Sequence, residues 1–191
     1  MIYLFLCIIS YLFGSILFGI IIAKVLKIDN LRENGSGNIG ATNVARVSGK
    51  KTAGILVAIL DGLKGFIPIA LGNVLGLNHS ELATVGMIAL IGHIFPIWHR
   101  FKGGKGIAVF IGINLGLNWD IGLIMSAIWI SVFIITKISS IASLIMVVSC
   151  MMVYLFHFDQ FLQITLCGTI IIILHRDNIK RLIAGKENKM K

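Results

Sequence analysis

Three short stretches of this chain carry polar side chains at spacings suited to holding phosphate groups. The first runs Gly35-Ser36-Gly37-Asn38-Ile39-Gly40-Ala41-Thr42-Asn43, with Arg46 three residues on. Glycines let backbone N–H groups approach an anion closely. Ser36, Asn38, Thr42 and Asn43 add side-chain donors, and Arg46 can grip a phosphate with a fork of N–H groups. The second stretch, Phe101-Lys102-Gly103-Gly104-Lys105-Gly106, is a short cationic loop preceded by Gly92, His93 and Pro96. In the third, His175, Arg176, Asp177 and Asn178 follow one another. On a helix, His175 and Asn178 share a face and could hold a hydroxyl between imidazole and carboxamide. Together these groups could gather phosphorylated molecules and orient an alcohol beside them.

Two familiar nucleotide motifs are excluded. The first stretch contains GxGxxG but follows no strand of a βαβ unit, so a dinucleotide fold is rejected. In the second, Lys105 is followed by Gly106 rather than Ser or Thr, so the Mg²⁺ ligand of a P-loop is missing. No His, Cys and carboxylate set has metal-ligand spacing, so neither a metal nor a cofactor is expected. Cys7, Cys150 and Cys167 all lie in apolar runs without pairing pattern and read as packing residues.

The elements that position these stretches are apolar. Of 191 residues, 57% are hydrophobic and only 13% charged. A soluble domain of this length needs more polar surface, so one polytopic membrane domain spanning residues 1–191 is expected. The net charge of +9 is then better explained by positive-inside loops and anionic substrates than by nucleic acid, and no nucleic-acid partner is expected. Apolar runs fall at 2–25, 54–77, 82–98, 107–118, 121–136, 138–156 and 160–174, predicting an all-α, seven-segment transmembrane bundle. The fourth run is short for a crossing. The first has no basic flank before it and is expected to stay as a single retained helix rather than a cleaved signal.

Charge supports this count. Seven crossings put Arg32, Arg46, Arg100, Lys102, Lys105, Lys137, Arg176 and the basic tail to Lys191 on one side. The opposite connections, LNHSE, NWD and HFDQ, contain acids but no Lys or Arg. The N-terminus is therefore expected outside, with the C-terminus and all three polar stretches cytoplasmic. Lys64 falls inside the second run, three residues from Asp61, which predicts a structural ion pair beneath the site. A lone His93 near a helix end is more often a helix-packing hydrogen bonder than a catalyst.

Plainer readings exist for each stretch alone: a flexible turn-rich loop, a lipid-anchoring loop, a helix stop. In order and together, GSGNIGATNVAR at 35–46, GHIFPIWHRFKGGKG at 92–106 and HRDNIKRLIAGKE at 175–187 resemble the three motifs of the PlsY family. These are bacterial glycerol-3-phosphate acyltransferases that use acyl phosphate. Trp98 stands where the family usually has Phe, and Leu174 where Arg is expected, leaving Arg176 as the nearest basic substitute. The resemblance implies a bacterial plasma-membrane enzyme with a cytoplasmic active site. Its reaction moves a fatty acyl group from acyl phosphate to the 1-hydroxyl of glycerol 3-phosphate, giving lysophosphatidic acid and inorganic phosphate.

Within that reading Ser36, Arg46 and Lys105 hold phosphate, aided by Gly37, Lys102, Gly103 and Gly104. Asn38, Thr42 and Asn43 shape the first loop and donate hydrogen bonds, and His175 and Asn178 position the glycerol hydroxyl. Either His175 or a substrate phosphate takes the proton. No His has an Asp five residues later, so the HxxxxD acyltransfer arrangement is absent. Glycines such as Gly112, Gly116 and Gly122 permit close helix contact or an acyl groove. The expected partners are acyl phosphate, glycerol 3-phosphate and membrane lipids. Whether a soluble acyl-phosphate-producing enzyme docks on the basic face stays open, and a transporter of an anionic phosphorylated solute is the rival reading.

Overall fold

The computed structural model describes residues 1–157 and 159–190, without the side chain of His157. Phe158 of the HFDQ connection and Lys191 of the basic tail lie outside the described residues. The described residues are helical, in the order α1 (Ile2–Gly14), α2 (Phe18–Val25), α3 (Ala41–Ser48), α4 (Lys51–Val74), α5 (His79–Ile94), α6 (Ile107–Leu117), α7 (Trp119–Thr136), α8 (Ser139–His157), α9 (Phe161–Leu174) and α10 (Arg176–Ile183). A 3₁₀ turn, Ile97–His99, follows α5.

Apolar helices occupy all seven expected runs. Five units are long and apolar enough to cross a membrane: Ile2–Val25, Lys51–Val74, His79–His99, Trp119–Thr136 and Ser139–Phe156. The other two are shorter. At 11 residues α6 is only about 16 Å long. It is nevertheless central, burying Val109, Phe110, Ile113 and Asn114 among α4, α5 and α8. Large apolar side chains such as Ile55, Ile59, Leu123 and Ile130 point outward, as lipid-facing surfaces require.

The first run is not one helix. It breaks at Ser15–Leu17, with close backbone packing on both sides. A Cβ on Gly14 would lie 2.2 Å from Ala89 O of α5, and one on Gly19 would lie 1.8 Å from Ile39 O of the first loop. α1 therefore packs on α5 at Gly14, while α2 packs against the first loop at Gly19. The loop itself is not a flexible linker. It contains α3 and sits on a small core of Leu17, Ala23, Leu31, Ile39, Val44, Ala53 and Val57.

Glycine also decides how α4 meets α6. A Cβ on Gly112 would lie 1.9 Å from Gly62 O, and one on Gly65 would lie 2.2 Å from Val109 O. Lipid is as apolar as a side chain, so such van der Waals contact replaces hydrophobic burial as the force between helices. At the far end, Asn78 and Glu81 cap α5 reciprocally, each side chain accepting from the other's backbone N–H at 3.0 Å.

Candidate active site

The three polar stretches meet at one end of the bundle. They surround a cavity of about 180 Å³ whose lining includes Ser36, Asn38, Thr42, Asn43, Arg46, Lys105, His175 and Asn178.

In the first stretch Asn43 is the hub. Its Nδ2 donates to the carbonyls of Asn38 (2.8 Å), Asn34 (3.0 Å) and Leu31 (3.3 Å). Its Oδ1 accepts from Ser36 N at 2.8 Å and Arg46 Nη1 at 3.4 Å. Gly35 lies at φ 66°, and a Cβ there would sit 2.2 Å from that same Oδ1, so glycine is required. With its donors spent on backbone, Asn43 builds the loop and presents Ser36 and Arg46. Thr42 Oγ1 lies 3.1 Å from Ser139 Oγ, tying α3 to α8. Gly40, Ala41 and Thr42 border the cavity, so the first turn of α3, whose leading N–H groups lack helical partners, faces it. Arg46 Nε is buried and has no hydrogen-bond partner among the described residues. Burial pulls the Arg46 guanidinium below its ordinary range, with Glu187 partly offsetting the effect. An anion at that nitrogen would satisfy it.

The second stretch splits into scaffold and chemistry. Gly103 N donates to Ile94 O (2.9 Å) and Gly104 N to His93 O (3.2 Å). Gly37 N is likewise committed, to Asn34 O at 3.1 Å. These three glycines do not line the cavity, and their amides already have partners. Lys102 is exposed and also lies outside it; its carbonyl accepts from Arg32 Nη2 at 2.6 Å, pinning the loop. Of the two lysines Lys105 is the one that turns inward, donating to Asn178 Oδ1, and Gly106 borders the cavity beside it.

The third stretch is an acceptor and donor array. His175 closes α9, and its Nδ1 lies 2.8 Å from Ile171 O. A carbonyl only accepts, so Nδ1 carries the proton and Nε2 keeps its lone pair. Burial, with Lys105 contributing the same way, pulls this imidazole down to about 4, although the Ile171 contact and Glu187 act upward. Asn178 Nδ2 donates to Glu187 Oε1 at 2.6 Å, Ser140 Oγ to the same oxygen at 3.0 Å, and Arg181 Nε to Oε2 at 2.7 Å. Burial would raise the Glu187 carboxyl, but these three donors outweigh it and hold the group below its usual range. Arg176, the expected basic substitute, is exposed, lies outside the cavity and reaches only Asp177, at 3.9 Å.

Sequence reasoning passed over Glu187, Ser139, Ser140, Ser143 and Trp129, all of which line the cavity. Glu187 stood at the end of the third motif without a role. The serines had a visible signal, three hydroxyls opening an apolar run just after Lys137, with 139 and 143 one helical turn apart. Asp61 and His93 form the inner wall. Lys64, wholly buried behind it, lies 2.6 Å from Asp61 Oδ1, the ion pair expected from their spacing.

Burial, the largest influence, and the nearby Arg181 bring Lys105 down to about 8, against smaller upward pulls from Glu187 and Asp177. The sign of the consequence is fixed. Lys105 is cationic below that value and becomes neutral as pH rises through it, losing its attraction for phosphate. The free-enzyme kcat/KM for a phosphorylated substrate should therefore fall above about pH 8, and Lys105→Arg should move that limb upward. A pH–rate profile of both proteins checks this.

Beside the polar cavity runs an apolar groove of about 550 Å³ lined by Ile55, Ile59, Phe66, Leu115, Ile130 and neighbours. Ala58, Ala108, Ile111 and Trp129 border both spaces, so the two lie side by side. The arrangement can hold phosphates against cations at one end and an aliphatic chain at the other.

Comparison with known proteins agrees with this chemistry. The family model described as glycerol-3-phosphate acyltransferase matches residues 4–185. A glycerol-3-phosphate acyltransferase of Coxiella burnetii (strain RSA 493 / Nine Mile phase I) is 39% identical over 186 residues, covering 96% of each chain. One from Francisella tularensis subsp. novicida (strain U112) is 41% identical over 185 residues, covering 95% of this chain and 89% of that one. The crystal structure of PlsY (YgiH), an integral membrane glycerol 3-phosphate acyltransferase, matches in its glycerol 3-phosphate form with a TM-score of 0.93 at 36% identity, covering 100% of this chain and 96% of that one. Its lysophosphatidic acid form matches at 0.91 and 35%, with the same coverage. The bundle, the three meeting motifs and these relatives place the chain in the glycerol-3-phosphate acyltransferase family of integral membrane proteins.

Proposed function

We propose that this protein transfers a fatty acyl group from acyl phosphate to the 1-hydroxyl of glycerol 3-phosphate, releasing lysophosphatidic acid and inorganic phosphate. One observation supports the reading: a polar cavity holding Ser36, Arg46, Lys105, His175 and Asn178 adjoins a lipid-side apolar groove, with Ala58, Ala108, Ile111 and Trp129 lining both. Such neighbouring spaces suit the meeting of a water-soluble phosphate ester with a membrane-borne acyl chain.

Two phosphorylated substrates repel each other unless cations screen them. Arg46, with its unpartnered Nε, and Lys105 supply that charge, and Ser36 adds a donor. The acyl chain lies along the groove with its carbonyl carbon at the Ala58–Ala108 junction. Acyl phosphate is already activated, so the protein supplies position and charge rather than a covalent intermediate. The glycerol oxygen forms the new bond to the carbonyl carbon, the carbon–oxygen bond to phosphate breaks, and inorganic phosphate leaves.

The proton goes to a substrate phosphate. His175, pulled down to about 4, is too weak a base for a general-base role near neutral pH. Its Nε2 instead accepts from the glycerol 2-hydroxyl and so aims the neighbouring 1-hydroxyl, whose proton stays free to pass to the phosphate, with Asn178 held by Lys105 and Glu187 alongside. An essential general base contributes about 100- to 10,000-fold. His175→Ala should lose less than about 100-fold in kcat, and any larger loss would restore the imidazole as base.

The seven apolar units are read as seven crossings, with the N-terminus outside and the active site facing the cytoplasm of a bacterial plasma membrane. The near absence of basic residues from the connections opposite the cavity supports this sidedness. Cysteines at 36, 105 and 175 should all be modified only from the cytoplasmic side.

The deciding experiment incubates purified protein with acyl phosphate and labelled glycerol 3-phosphate, with acyl-CoA and acyl carrier protein thioester as alternative donors. Lysophosphatidic acid formed from acyl phosphate is the expected result; formation only from a thioester would overturn the donor assignment.

A further inference from the structure

Two histidines border the cavity, and their neighbours give them opposite tautomers. His175 donates through Nδ1 to Ile171 O, which leaves Nε2 as an acceptor. His93 is the reverse. Its Nδ1 lies 3.3 Å from Lys64 Nζ, which in turn lies 2.6 Å from Asp61 Oδ1. Lys64 is 0% exposed and His93 and Asp61 only 4% and 3%. An ammonium donates and never accepts, so the His93 Nδ1 facing it is the acceptor and the ring proton sits on Nε2. Asp61 Oδ1, at 3.8 Å from Nδ1, is too distant to compete for that nitrogen. The Nε2 edge meets Gly104, where a Cβ would come within 2.4 Å. The glycine keeps that edge free of a covering side chain, and its own N–H is already spent on His93 O.

The charge on this inner wall selects its ligand. Asp61, Lys64 and a neutral His93 sum to zero, whereas Arg46 and Lys105 bring positive charge to the cavity. Phosphate oxygens are drawn to the cations. A carbonyl oxygen, neutral at first, suits the neutral donor. Ala58, shared by the cavity and the groove, is one helical turn before Asp61 on α4, so an acyl head emerging from the groove arrives beside this wall.

We propose that His93 is a catalytic residue whose Nε2–H, fixed by the Asp61–Lys64 pair, donates to the carbonyl oxygen of the acyl donor. The inference rests on the acyl-transfer reading of the cavity. As the glycerol oxygen bonds to the carbonyl carbon, the carbonyl electron pair moves onto that oxygen and the Nε2–H bond strengthens. The pair then returns, the carbon–oxygen bond to phosphate breaks, and phosphate carries the electrons away. Such a donor acts on the transition state more than on binding, so its loss appears in kcat.

Two variants separate this role from packing. Asn at 93 keeps a polar group facing Lys64 but removes the donor beyond it, whereas Gln extends an N–H toward the Nε2 position. His93→Asn should lower kcat about 100- to 1,000-fold while KM for glycerol 3-phosphate changes by less than about threefold. His93→Gln should recover to within about tenfold of the parent, and both should keep the parent's thermal unfolding midpoint in detergent. Parent-like kcat in His93→Asn, or equal losses in both variants, would overturn the proposal. Nitrogen-15 NMR of histidine-labelled protein, with the His93 signals assigned by their loss in His93→Asn, reads the tautomer without any turnover. A protonated Nε2 that becomes mixed in Lys64→Met is expected, and a protonated Nδ1 in the parent would refute the assignment. If the parent protein makes no lysophosphatidic acid, the acyl-transfer reading fails, and the NMR result still decides the tautomer.

Discussion

Lys105→Met should lower kcat/KM for glycerol 3-phosphate by at least about 100-fold and leave the bundle folded. Lys105 is the second-stretch cation that turns into the cavity, and it reaches Asn178 Oδ1 across 73 positions of sequence. Removing one partner of a buried, hydrogen-bonded charge pair costs about 2–5 kcal/mol, or roughly 30- to 4,000-fold. Two losses add here. The phosphates lose a cation in a site of low effective dielectric, where it counts most. Asn178 loses the donor on one side and keeps only Glu187 on the other, at 2.6 Å, so the carboxamide is free to turn from the hydroxyl. Methionine matches the stem of lysine in length and flexibility, which limits the effect on packing. Steady-state kinetics with each substrate varied in turn, beside thermal unfolding in detergent, tests this. A loss under tenfold would remove Lys105 from phosphate binding.

Gly103→Ala should be nearly as damaging for a different reason. A Cβ at that position would lie 1.9 Å from His93 O and 2.4 Å from Ile94 O, both backbone atoms that no side-chain rotation can move. The Gly103 N–H to Ile94 O bond holds the loop against the end of α5. The added carbon must push the loop away, breaking that bond and its neighbour from Gly104 to His93 O. Overpacking of this kind costs about 1–3 kcal/mol, at times more, so the unfolding midpoint should fall by several degrees. Activity should fall further than stability, because Lys105 is two residues on and a misplacement of about 1 Å can cost about 100-fold. Measuring kcat/KM well below the unfolding midpoint separates the two effects. Retention of more than a tenth of parent activity would show that the loop tolerates displacement.

Both expectations depend on features legible to different degrees before folding. The membrane class, the seven apolar runs and the three motifs could be read directly. A lipid-facing surface demands apolar composition, basic residues concentrate in some connections and are absent from others, and anion-binding loops carry glycine, hydroxyl and cationic groups in short runs. The Asp61–Lys64 pair was equally visible, because three residues on a helix put two side chains on one face. The third motif announced His175 and Asn178 for the same reason.

What sequence by itself determined, then, was everything set by local spacing and by the demands of lipid. The tertiary structure decided which members of each motif face substrate. GSGNIGATN looks like a uniform anion cradle, but Asn43 spends its donors on three carbonyls while Arg46 Nε, three residues on, has no partner among the described residues. KGGKG looks like two lysines and two anion-binding amides, yet the Gly103 and Gly104 amides close backbone bonds to α5 and, of the two lysines, Lys105 is the one that lines the cavity. The break at Ser15–Leu17 was not legible either, because apolar periodicity is blind to the backbone approaches at Gly14 and Gly19 that flank it. Glu187 gained its role only when the tail brought it against Asn178, Arg181 and Ser140. A hydrogen-bond donor serves a ligand only when no nearer acceptor has claimed it, and that competition is settled among groups far apart in the chain.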